Sequence, residues 1–175
     1  MRAVWICSLL IVSSPFSALA EGQVKVNMGW EHKDFEGTVE LYEVKGRPRL
    51  WETKSVKSMN SAPIGDKIKD SAFMMESGRT KRFALVVRNN TDKPVFFFAA
   101  PHVVSPAEHS LGFRFRCLCI NHAFHVGPRE TWYRIVEFQL SNGFFGRELT
   151  VTHSIIGIDQ KRAESFSKGP VQPDF

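Results

Sequence analysis

Arg82-Phe83-Ala84-Leu85-Val86-Val87-Arg88-Asn89-Asn90-Thr91-Asp92-Lys93-Pro94-Val95-Phe96-Phe97-Phe98-Ala99-Ala100 decides the fold class. Two apolar runs rich in Val and Phe flank a cluster of turn-forming residues. Each run has the length of a strand rather than a helix, and neither shows a three-to-four-residue apolar period. The segment reads as two strands joined by a tight turn, a β-hairpin. Towards the N-terminus, Gln23 to Trp30 places Val24, Val26 and Met28 on one side of an alternation, and Thr38 to Val44 repeats it. Lys45-Gly46-Arg47-Pro48 is a turn signal before Arg49-Leu50-Trp51. Thr53 to Lys69 is polar and irregular, with a turn at Pro63-Ile64-Gly65-Asp66 and room for a short helix near Ile64 to Phe73.

Towards the C-terminus, Pro101 to Pro106 reads as a loop and Leu111 to about Ile120 as a strand. Turns at Val126 to Glu130 and Ser141 to Gly143 frame a strand from Trp132 to Leu140, and Glu148 to Ile158 is a last strand. About seven short strands separated by turn signals predict an all-β, antiparallel β-sandwich, with Trp30, Trp51 and Trp132 as core anchors. Asn89-Asn90-Thr91 matches a glycosylation acceptor, but its place in a tight turn gives it a structural explanation.

The first residues have the form of a targeting segment. Arg2 is the positive end, Val4 to Val12 an apolar run, and Ala18-Leu19-Ala20 a small-x-small site, so cleavage is expected after Ala20. No later stretch reaches the roughly 18 apolar residues of a membrane crossing. The expected organisation is a signal peptide over 1–20, one domain over 21–160 and a flexible tail over 161–175. The mature protein is expected in an oxidising exported compartment. The formal charge of +5 falls to +4 without Arg2 and is scattered, which argues against a nucleic-acid partner.

Within the expected mature chain only two cysteines remain, Cys117 and Cys119, with His102, His109, His122 and His125 nearby. On a strand, Phe113, Phe115, Cys117 and Cys119 share one face, while Arg114 and Arg116 face the other way. Paired thiolates suit Cu(I) or Zn, and imidazole suits both. Two sulfurs at i and i+2 on a flat strand sit far apart for one ion. A bulge, a strand end or a third ligand is therefore expected, with His122 and His125 nearest in sequence. His32 and His153 read as surface or edge positions. A disulfide across one intervening residue closes almost no chain and makes a weak staple, though it would cycle readily. Inert packing of two small apolar residues is the remaining reading. Met59, Met74 and Met75 are scattered and read as packing.

From Phe83 to Ile158 the order of features resembles the copper-delivery assembly factors of cytochrome c oxidase, the CtaG-type family. The resemblance rests on Asn89-Asn90-Thr91-Asp92-Lys93-Pro94, Cys117-Leu118-Cys119-Ile120, Gly127-Pro128-Arg129-Glu130 and Leu149-Thr150-Val151-Thr152-His153. It implies an immunoglobulin-like β-sandwich that binds Cu(I) through Cys117 and Cys119 and passes it to a membrane oxidase subunit or another cuproenzyme. It also raises the question of a homodimer. The chain departs from the family in having a cleavable signal instead of an anchoring helix, and no cysteine between Glu21 and Phe83.

The expected function is therefore a periplasmic Cu(I) carrier, with His122 and His125 as candidate additional ligands. A metal-free interaction module, with Val95 to Phe98 and Phe144-Phe145 as binding surface, and a thiol-redox partner are the alternatives. No nucleophile elbow, phosphate-cradling loop or His-Glu-x-x-His helix is present, so an enzyme is not expected.

Overall fold

The computed structural model describes residues 22–118 and 122–167; the expected signal segment, Cys119 and the last residues of the expected tail lie outside the described residues. Among the described residues, twelve strands form two packed sheets. They are β1 (Gln23–Lys33), β2 (Thr38–Val44), β3 (Thr53–Val56), β4 (Ile64–Lys67), β5 (Ala72–Glu76), β6 (Thr80–Arg88), β7 (Val95–Ala99), β8 (Val103–Ser105), β9 (Phe113–Arg116), β10 (Phe124–Val126), β11 (Thr131–Leu140) and β12 (Glu148–Ile158). The first sheet runs β10-β7-β12-β1-β5, with β8 also on β12. The second runs β3-β11-β6-β2-β4, with β9 also on β11. The expected β-sandwich is the fold observed. All pairings are antiparallel except β1 with β12, which run parallel from Lys25 opposite Glu148 to Lys33 opposite Ile156.

Alternation builds the core between the sheets. Val24, Val26 and Met28 of β1, Leu149, Val151 and Ile155 of β12, and Phe83, Leu85 and Val87 of β6 all point inward. The alternate residues of β6, Ala84 and Val86, are buried too, because Ile64, Tyr133 and Ile135 form a second cluster on the outer face of that sheet. The segment with β3 and β4 supplies the cover, through Val56, Met59 and Ala62. This is why β6 is apolar without interruption.

Four expectations need correction. β6 and β7 are not a hairpin: β6 pairs with β2 and β11, and β7 with β10 and β12, so the turn between them crosses from one sheet to the other. Ile64 to Phe73 is not a helix; it holds β4, which pairs with β2, and leads into β5, which pairs with β1. Of the strand predicted over Leu111 to Ile120, Phe113–Arg116 is the part that is strand among the described residues. Gln160–Ser167, most of it in the stretch expected to be a flexible tail (161–175), is a helix, α1. Asp159 starts it by accepting a bond from the Arg162 N–H at 2.8 Å, Ala163 is buried, and Phe166 stacks on Phe98 at 5.3 Å. Among the described residues no helix is long and apolar enough to cross a membrane.

The crossing between β6 and β7 is held by one side chain. Asn89 is 2% exposed, and its amide donates to the carbonyls of Lys93, Val126 and Gly127 at 2.7, 3.2 and 2.8 Å. Its Oδ1 accepts from the Thr91 N–H and hydroxyl at 2.9 and 2.8 Å. The side chain so engaged serves the turn, in line with the structural reading of the glycosylation motif. Outside it, Arg129 grips Asp92 through two bonds of 2.7 and 3.0 Å. Substituting Asn89→Ala removes the side-chain donor to three carbonyls and the acceptor of the Thr91 N–H together, although the Lys93 carbonyl keeps the Thr91 hydroxyl at 2.9 Å. We expect it to cost about 3 kcal/mol, read as a lower midpoint in urea unfolding; Asp92→Ala, at an exposed pair, should leave the midpoint nearly unchanged.

Candidate functional site

Cys117 stands where β9 leaves its sheet. Continued pairing along β11 would set Leu118 opposite Ile135, but the backbone of Ile135 is already engaged: its N–H donates to the Glu52 carbonyl and its carbonyl accepts from the Trp51 N–H, both at 2.9 Å. The edge of β11 is shared between β9 and the approach to β3, and β9 is displaced after Arg116. The strand end anticipated near the cysteines is thus present. Cys117 keeps the inward side shared with Phe115 and is 4% exposed, while Leu118 is buried as well. Arg116 faces out and bonds Glu137 at 3.0 Å, with Arg82 on the other oxygen at 2.9 Å. Neither guanidinium is spent on the thiol.

On the opposite sheet, β12 places Leu149, Val151, His153 and Ile155 inward. His153, expected at the surface, is instead fully buried. Its Nε2 lies 3.1 Å from Cys117 Sγ, so the two sheets meet through a thiol and an imidazole. Trp30, its register partner on β1, and Phe115 pack against the ring with centroids at 5.4 and 5.3 Å. His153 Nδ1 is buried with no hydrogen-bond partner among the described residues.

A third group arrives by a bulge. β7 and β8 follow one another along the same edge of β12, Ala99 opposite Ile155 and Val103 opposite Thr152. Three residues, Ala100, Pro101 and His102, therefore oppose two, Ser154 and His153. The Ala100 N–H still donates to Ser154 at 2.9 Å, whereas Pro101 has no N–H to offer. The bulge turns His102 towards the core. Its ring is 5.3 Å from that of His153 and 5.4 Å from Phe113. Half-burial lowers the His102 pKa below the usual imidazole value, positive charge on His153 lowers it further, and the Cys117 thiolate works the other way.

The histidines nearest the cysteines in sequence are differently placed. His125 is exposed on β10, on the face away from the core, with its ring 4.9 Å from Phe96. His122 is half-buried and edge-on to Phe124 at 5.4 Å. His109 is buried between Phe144 and Phe145, at 4.8 and 5.1 Å. Of the scattered methionines, Met75 is in the core. Among the described residues no set of three or more His, Cys, Asp or Glu is gathered closely enough to hold a metal ion as it stands. Cys117 and the imidazoles of His153 and His102 are a soft and a borderline donor type, and both suit Cu(I).

The chain matches the family described as Domain of unknown function (DUF8709) over residues 24–158, and belongs to it. That span runs from the start of β1 to the end of β12 and includes every residue of the arrangement above. No curated protein and no solved structure gives a significant match.

A buried thiol and imidazole are an expensive way to fill a core, since an unsatisfied buried polar atom costs about 1–3 kcal/mol. Replacing both by aliphatic side chains of similar size, Cys117→Val with His153→Leu, should leave a domain at least as stable as wild type in chemical denaturation. A marked loss of stability would mark the pair as structural.

Proposed function

We propose that this chain is an exported Cu(I)-binding protein that hands copper to a cuproenzyme, with cytochrome c oxidase assembly as the setting. Transfer proceeds by thiolate exchange at Cys117 and Cys119. The observation that carries the reading is the approach of Cys117 Sγ to an imidazole nitrogen at 3.1 Å, at the position where the resemblance puts the copper motif. Cu(I) accepts two or three soft ligands, so a strand end facing an imidazole is suited to it, and ligand exchange at low coordination number allows transfer to an acceptor. The test is anaerobic titration of the reduced protein with Cu(I) against a competing chelator. Wild type should take up one tight equivalent, and Cys117→Ser/Cys119→Ser should lose it. Equal, weak uptake by both would end the copper reading.

A second reading, a metal-free interaction module, draws on one corner of the surface. Leu111 is 94% and Phe145 80% exposed, on turns that touch through Gly112 and the Phe144 ring. Of the apolar segments expected to form a binding surface, Phe97 and Phe144 are buried and Phe145 is not. Leu111→Ser with Phe145→Ser should leave stability within about 0.5 kcal/mol and abolish retention on an apolar matrix. Unchanged retention would show that this corner is not adhesive.

A further inference from the structure

Resting on the copper reading, we infer that the imidazoles of His153 and His102, and not those of His122 and His125, complete the Cu(I) site with Cys117, giving a mixed thiolate and two-imidazole centre at the junction of the two sheets. Three independent features of the backbone converge there. The competition of Trp51 and Glu52 for Ile135 releases Cys117 from β11; the parallel register sets His153 beside Trp30; and the bulge at Ala100 to His102 brings in a second ring. None of the three is needed to fill a core that is otherwise aliphatic and aromatic.

The Cys117 and His153 donors lie close to the separation of a metal-bound pair, whereas the three donors are not yet gathered around one point. Taking the zinc values as a guide, metal to thiolate and metal to imidazole bonds of roughly 2.3 and 2.0 Å would hold the two donors about 3.5–3.7 Å apart at tetrahedral to trigonal angles. Cys117 Sγ and His153 Nε2 at 3.1 Å need to part by only about half an ångström, the ion taking the place of the proton between them. His102 approaches from the half-exposed side. It is the ligand that an incoming or departing ion meets first, whereas Cys117 and His153 are enclosed. Trp30, Phe113 and Phe115 surround the centre with apolar rings. They exclude water from a site that favours the monovalent ion.

His125 cannot serve: its side chain is exposed on the outer face of β10, whereas Cys117 faces inward. His122 is edge-on to Phe124, whose own ring stacks on Phe97 in the core.

The experiment is copper K-edge absorption spectroscopy of the Cu(I)-loaded wild type, paired with chelator-competition titrations of His153→Phe, His102→Phe, His125→Phe and Cys119→Ser. Phenylalanine keeps the ring packing of the buried histidine. Imidazole scattering in the wild-type spectrum, with affinity lowered in His153→Phe by more than the roughly 10–100-fold that loss of an outer-shell partner costs, and unchanged in His125→Phe, is the expected result. His102→Phe should weaken binding and speed release of copper to the chelator, and Cys119→Ser should retain one equivalent. A sulfur-only spectrum, or wild-type affinity in His153→Phe and His102→Phe, would overturn this ligand set while leaving thiolate copper binding in place. Failure of the wild type to bind Cu(I) at all would overturn both.

Discussion

The parallel pairing of the first strand with the last is the constraint on which the rest depends. From Lys25 opposite Glu148 to Lys33 opposite Ile156, β1 and β12 run side by side in the middle of their sheet, with β5 beyond one and β7 and β8 beyond the other. A register slip of one residue would turn Val24, Val26 and Met28 to solvent relative to Leu149, Val151 and Ile155. Glu148 pins the register at the start, accepting from Asn27 at 2.8 Å and from Lys25 at 3.3 Å. Close packing pins it at the end: a Cβ on Gly157 would lie 1.8 Å from the Asp34 carbonyl oxygen, so the strands approach there only because the residue is glycine. The same register sets His153 against Trp30.

Polar chemistry enters this core where regular pairing fails. Each sheet has an edge shared by two short strands in tandem, β7 with β8 along β12 and β3 with β9 along β11. At each junction the chain must leave the ladder for a residue or two. One junction yields His102 and the other Cys117, and the sandwich brings the two junctions face to face across His153. The arrangement needs no dedicated loop. It is a by-product of how two edges are divided, which confers on it the rigidity of the strands on either side.

Strands with a buried, alternating face were legible in the residues: β2 and β12 match their expected bounds, and β1, β6 and β11 differ by at most a few positions. Partners were less so. The run at 82–100 has the local look of a hairpin, and nothing within it reports that Asn89 is anchored to Val126 and Gly127, which forces the crossing between sheets. β3 and β4 were hidden because edge strands exposed to water at Thr53, Lys54 and Ser55 and at Asp66 and Lys67 carry little apolar signal. β5 was not hidden: Phe73 and Met75 alternate with Met74 and Glu76, and the pattern was obscured only by the polar stretch before it. Of the site, Cys117 was legible and its inward face also. His153 was misplaced, although Leu149, Val151 and Ile155 flank it at the same period and mark its slot as interior. His102 could not be read, because its position depends on a one-residue bulge against a strand some fifty residues away.

The β1 and β12 pairing has a consequence for the life of the nascent chain. Lys25 and Glu148 are separated by 123 positions, so the centre of one sheet cannot form until β12 has left the ribosome. Until then β1 is an apolar ribbon with an open edge, and every product truncated before β12 keeps it so. High contact order of this kind slows folding and lengthens exposure to proteases and to association with like chains. Synthesis of the final strand is therefore the step that separates a folded domain from a fragment fit for degradation.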